Sequence, residues 1–277
     1  MTIREIVEQG FYYARTCRSL WLFGFLVGMA SGGSNGGGRS GGAGGGTGPL
    51  DLSLTAFALI ALAITLALVV ATVLRFVGEG ALIEGVVRAR QGRSMTTGEG
   101  FRAGWAHWGV LLRIALIYFA ASIGSVALLA VPCAIALRAL GPLGGILLGV
   151  PALVIAVPLL VTLYLVQAFA WRIAVLENRT ALDAIGKARL FLHGRIVHGL
   201  KLIVATLVGT LAIVLISVVA ILPVALLLVA LTTVLHVFPV IVLGSLVLLP
   251  VIYVLTAVMG TFRSSIWTIG YVTQVES

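Results

Sequence analysis

Ile114–Leu137 reads IALIYFAASIGSVALLAVPCAIAL, an unbroken stretch without Asp, Glu, Lys or Arg. It exceeds the ~20 residues that a helix needs to cross ~30 Å of hydrocarbon, so it is read as a membrane span. Working outward, the same composition recurs in Leu20–Ala30, Leu52–Leu74, Ala139–Trp171, Leu202–Leu231 and Val240–Phe262. The chain of 277 residues is 60% hydrophobic and 10% charged, with a mean hydropathy of +1.17, which places it outside soluble globular proteins. The expected fold is an all-α polytopic membrane protein with about six transmembrane helices.

The charges orient it. If the six stretches cross in turn, 16 of the 18 lysines and arginines fall on one side, leaving Arg39 and Arg138 on the other. Basic loops stay in the cytoplasm, so both termini and the segments 75–113 and 172–201 are expected there, in the cytoplasmic (inner) membrane of a bacterium or archaeon. The formal charge of +9 is dispersed over juxtamembrane segments that also carry most of the acids. Charge placed there faces the lipid bilayer and its anionic headgroups, or a membrane or cytoplasmic protein partner, and excludes nucleic acid as the partner.

A pattern repeats along the chain. Thr2-Ile-Arg-Glu5, Thr96-Thr-Gly-Glu99 and Thr180-Ala-Leu-Asp183 each set a hydroxyl three residues before an acid, the sign of a capped helix start. Each opens a stretch of mixed apolar and basic residues, of which 1–18 is the first, read as an amphipathic helix rather than a cleaved leader. Ile3, Val7, Gly10 and Ala14 share one expected face; Phe101, Trp105 and Trp108 share the second; Leu182, Ile185, Leu192 and Ile196 share the third. Arg102, Lys187, Arg189 and Arg195 lie off those faces, so the helices are expected in the headgroup plane, apolar side inward. Pro132 and Pro158 correspond to Pro223 and Pro250 in the spans that follow, which gives a parallel internal repeat about an axis along the membrane normal. The glycine-rich segment 31–49 reads as a flexible loop; Thr47-Gly48-Pro49 lacks the Lys-Ser/Thr helix start of a phosphate-cradling loop.

Candidate chemistry is sparse. No ionisable acid or base sits within the spans, which disfavours transport coupled through a buried carboxylate. Prolines and glycines within the spans, as in Gly144–Pro158 and Gly244–Pro250, read as ordinary helix-packing residues. His193 and His198 are five apart and share no helical face, and neither Cys17 nor Cys133 completes a metal set, so no metal and no cofactor is expected. No Gly-x-Ser-x-Gly elbow is present, and Gln167 reads as an interhelical hydrogen-bonding residue.

Glu79-Gly-Ala-Leu-Ile-Glu84, Thr97-Gly-Glu-Gly-Phe-Arg-Ala-Gly-Trp105, Ala174-Val-Leu-Glu-Asn178 and Phe262-Arg-Ser-Ser-Ile-Trp267 together resemble prokaryotic six-span membrane proteins of unknown function. Those are similar to the membrane domain fused to some bacterial glycerophosphodiester phosphodiesterases. The resemblance implies an architecture and no active site, because the acids and histidines of the fused enzyme have no counterpart here. The expectation is a non-catalytic integral membrane protein, a scaffold or a lipid- or partner-binding protein, whose contact residues are Phe101, Arg102, Trp105, Trp108, Lys187, Arg189 and Arg195. The alternative is a transporter or channel for a neutral or lipid-like molecule.

Overall fold

The computed structural model describes residues 3–32, 54–232 and 237–276, and these are helical almost throughout, with no strand among them. Helix α1 (Ile3–Thr16) leads through a 3-10 turn at Arg18–Leu20 into α2 (Trp21–Gly32); α3 (Leu54–Arg90), α4 (Thr97–Leu176), α5 (Ala181–Leu192), α6 (Ile196–Leu231) and α7 (Val237–Glu276) follow. Of the glycine-rich loop expected at 31–49, Ser31 and Gly32 instead end α2 and the rest lies outside the described residues, as does the first cap at Thr2.

The helix ends follow local chemistry. Helix α3 stops where Gly92 takes a φ of 74°, with the Arg93 N–H bonded to Arg88 O at 3.0 Å and the Gly92 N–H to Ala89 O at 3.0 Å. These bonds satisfy carbonyls that the helix leaves open. Helix α4 then starts in a reciprocal cap: the Thr96 N–H donates to Glu99 Oε2 at 2.9 Å and the Glu99 N–H to Thr96 Oγ1 at 3.4 Å. Asn178, with a φ of 52°, ends α4, and Thr180 caps α5 by accepting from the Asp183 N–H. The second and third caps read from the sequence are therefore present.

Among the described residues, four helices are long and apolar enough to cross a membrane: Ala58–Arg90, Thr97–Leu176, Ile196–Leu231 and Gly244–Val275. The 80-residue α4 is two helices that meet at Gly141, where φ is 69° and ψ −161°. Only glycine enters that region without strain. Residues eight apart in a straight helix are separated by about 12 Å. Here a Cβ on Gly144 would stand 2.6 Å from Ala136 O, so the chain folds back on itself. Leu228 of α6 and Gly244 of α7 also meet, at 3.1 Å from the Gly244 Cβ position to Leu228 Cδ1.

The chain divides into two compact units, Met1–Ala106 with Val204–Ile269, and His107–Ile203 with Gly270–Ser277. In the first, Leu20, Phe23 and Val27 pack with Ala81, Leu82, Val86, Met95 and Ile269. Helix α2 lies against α7 through a small-residue face: a Cβ on Gly24 would be 2.2 Å from Ala257 O, one on Gly28 2.6 Å from Thr256 O, and one on Gly260 2.0 Å from Gly24 O. Backbones this close exclude any side chain and replace apolar attraction with dense packing, as in membrane helix pairs. In the second unit, Leu165, Phe169, Ile173, Ala184, Ala188 and Leu202 are buried. The apolar halves differ: every residue of 58–72 is exposed, as are most of 119–160.

Two expected faces are met in part: Gly10 and Ala14 of the first and Ile185 and Leu192 of the third are buried. Helix α1 buries Ile6, Gly10 and Ala14. The Gly10 Cβ position lies 3.0 Å from Ile266 Cγ1, so α1 is held by α7. Helix α5 buries Ala181, Ala184, Ile185, Ala188 and Leu192, while Leu182 and Ile196 point outward. Small alanines permit the closer approach, which period alone does not reveal. The first part of the basic segment 75–113 is core rather than surface, since Phe76, Val77, Leu82 and Ile83 continue α3 as its most buried stretch.

Candidate membrane-interface site

In the first unit the start of α4 presents two opposed faces. Gly100 and Gly104 turn inward, where their Cβ positions lie 2.6 Å from the Phe23 ring and 2.0 Å from Val77 O. One residue further on, Phe101 and Trp105 are 43% and 51% exposed, and their rings stack with centroids 5.9 Å apart and an interplanar angle of 19°. Arg102 is exposed beside them. Two rings four residues apart, backed by glycine against the core, make an outward aromatic plate of the type that seats at a membrane interface. In α3, Arg88 donates to Glu84 one helical turn before it.

Behind this surface Glu79 is buried, 7% exposed, and accepts from Ser264 Oγ at 3.4 Å. Thr261, Ser265 and Thr268 of α7 are buried too; each hydroxyl donates back to the carbonyl four residues earlier, at 2.9, 2.7 and 2.8 Å. Local bonding of this kind satisfies serine and threonine in apolar helices. The Ser264–Glu79 contact ties α7 to α3 within this seam.

In the second unit the contacts centre on Glu177, at the end of α4. Lys187 Nζ donates to Glu177 Oε2, Arg179 Nε lies 3.6 Å from the same oxygen, and the Tyr271 hydroxyl donates to Glu177 Oε1 at 2.9 Å. The Lys187 hydrogen bond is the main reason that the Glu177 carboxyl titrates below its ordinary value; partial burial opposes it, and the Tyr271 hydroxyl and the charges of Lys187 and Arg179 add to it. Arg195 stands 5.1 Å over the Phe191 ring and donates to Gln274 O at 3.3 Å. Phe191, Phe169 and Tyr271 form a ring cluster with centroids 5.1 to 6.4 Å apart.

The expected contact residues thus separate into two kinds. Phe101, Arg102 and Trp105 lie outward in the first unit; in the second, Trp108 is half-buried and Arg189 is exposed. Lys187 and Arg195 are engaged within the protein: Lys187 ties α5 to Glu177 at the end of α4, and Arg195, in the turn before α6, reaches Gln274 of α7. Sequence reasoning missed Glu177, Tyr271 and Phe191, which come from separate elements with no spacing signal. It also missed Gly24-x-x-x-Gly28, which was legible as a close-packing motif. No group of three or more His, Cys, Asp or Glu among the described residues is placed to hold a metal ion. No family model, no curated protein and no solved structure matches this chain.

Proposed function

We propose that this chain is a non-catalytic integral membrane protein of a bacterial or archaeal cytoplasmic membrane, with six crossings and both termini inside. Its basic cytoplasmic ends hold anionic lipid headgroups, or a protein partner bearing the same charge. The observation that carries this reading is the division within each unit. Buried residues collect at 76–86, between Arg75 and Arg88, and at 165–175, which holds Arg172, whereas 58–72, which carries no charge, and 119–160, whose one charge is Arg138, expose leucine and valine. Lipid is the solvent that leaves such stretches unpacked without cost. The crossings would be α2, α3, the two halves of α4, α6 and α7.

A parallel repeat accords with the fold-backs at Gly141 and between α6 and α7, each preceded by a capped basic helix start at Thr96 or Thr180. The resemblance to the membrane domains of glycerophosphodiester phosphodiesterases supports this architecture and contributes no catalytic residue. Orientation is tested at Ser94, an exposed residue of the loop before α4. In intact cells Ser94→Cys should resist an impermeant thiol reagent and react only after permeabilisation; labelling from outside would overturn the topology.

A further inference from the structure

In the first unit a cleft of about 370 Å³ opens between the turn joining α1 to α2 and the loop joining α3 to α4. Its volume falls in the range of ligand clefts, roughly 300–1,000 Å³. Thr16 and Ser19 line one wall, Arg93 and Ser94 the other, and the buried side chains of Leu20 and Met95 form the floor. Among the described residues no carboxylate lines it. The nearest acid in sequence, Glu84, is occupied by the Arg88 guanidinium. Backbone acceptors at the end of α3 are also taken: Val87 O, Arg88 O and Ala89 O receive the N–H groups of Gln91, Arg93 and Gly92. What remains is a set of donors, three hydroxyls and one guanidinium, above an apolar base. That combination selects a compact anion attached to something greasy.

We propose that this cleft is a specific site for the phosphodiester headgroup of one anionic glycerophospholipid. The inference rests on the reading that the basic ends face anionic headgroups, and it adds a defined position and stoichiometry to that diffuse contact. Phosphate is the recognised chemistry. The floor of Leu20 and Met95, next to the apolar start of α2, assigns it to a lipid rather than to a free phosphate ester.

Cys17, half-buried in the same cleft, provides a native reporter, and Cys133 of the second unit an internal control. The full chain would be placed in nanodiscs of phosphatidylcholine with or without phosphatidylglycerol. Maleimide alkylation of Cys17 and lipid retention by native mass spectrometry would then be followed. Phosphatidylglycerol should slow alkylation of Cys17 but not of Cys133, with one lipid retained per chain. Arg93→Gln should weaken that protection about fivefold, the effect of one cation near a phosphate. Ser94→Trp should abolish it by filling the cleft. Unchanged protection in Arg93→Gln would overturn the site whether or not Ser94→Trp folds. Equal protection of Cys17 by glycerol phosphate or inorganic phosphate in neutral nanodiscs would overturn the lipid assignment. If phosphatidylglycerol stabilises the protein through Arg102 and Arg189 while Cys17 stays unprotected, the cleft alone is wrong. If anionic lipid has no effect on any variant, the wider reading fails with it.

Discussion

At the residue scale, Glu177 gives a pH-dependent expectation. A carboxyl held below its ordinary value in the folded state adds stability that is present above that value, 4.5, and is lost as pH falls through the folded value. The thermal midpoint of the detergent-solubilised protein should therefore decline on acidification below about that pH, and Glu177→Gln should flatten the decline. Because the group is partly exposed, the loss at neutral pH should be no more than about 1 kcal/mol. Glycines divide into two classes at the same scale. A Cβ on Gly104 would stand 2.0 Å from Val77 O, so Gly104→Ala should cost about 1–3 kcal/mol through overpacking. Gly186, on the exposed side of α5, has nothing within 4 Å; Gly186→Ala should instead stabilise by about 0.5–1 kcal/mol. Thermal shift on the pair of variants reads both signs.

At the scale of elements, the fold-back within α4 depends on one backbone position. Gly141→Ala forces a side chain into a φ of 69° and a ψ of −161°, which costs about 1–3 kcal/mol even though no atom lies near its Cβ position. Faster proteolysis at the fold-back than in wild type would register it, and unchanged stability would show that the turn relaxes. Glycine followed by proline at 141–142 is a turn signal, and Arg138 just before it is the one charge between the two apolar stretches. Composition marks the break, whereas the contact of Ala136 with Gly144 shows that the chain reverses there. The capped starts at Thr96 and Thr180 were legible because hydroxyl and acid act within one turn. The buried side of α5 was legible only at Ile185 and Leu192, because alanine, as at 181, 184 and 188, scores weakly as apolar yet permits the closest approach to a neighbouring helix.

At the scale of the molecule, cations that look alike in sequence acquire different work. Neutralising Arg102 and Arg189 together should remove about 2 kcal/mol of affinity for anionic bilayers, at roughly 1 kcal/mol per cation, and the effect should fade with added salt. Lys187→Gln should destabilise the protein equally in neutral and anionic lipid, since its partner is Glu177. Thermal shift in matched nanodiscs separates these effects, and a lipid-specific loss in Lys187→Gln would contradict the assignment.

The amino-acid order alone determined the all-α class and the long apolar helices, because hydrophobic length is additive along the chain and needs no knowledge of neighbours. It also determined where helices begin, through bonds that span three residues. Which face of α1 and α5 is buried, that α2 meets α7 backbone to backbone, and that Glu177 gathers Lys187, Arg179 and Tyr271 were decided only by tertiary structure. Those outcomes depend on shape complementarity between segments up to hundreds of residues apart, where a missing side chain at Gly24 counts for as much as any charge.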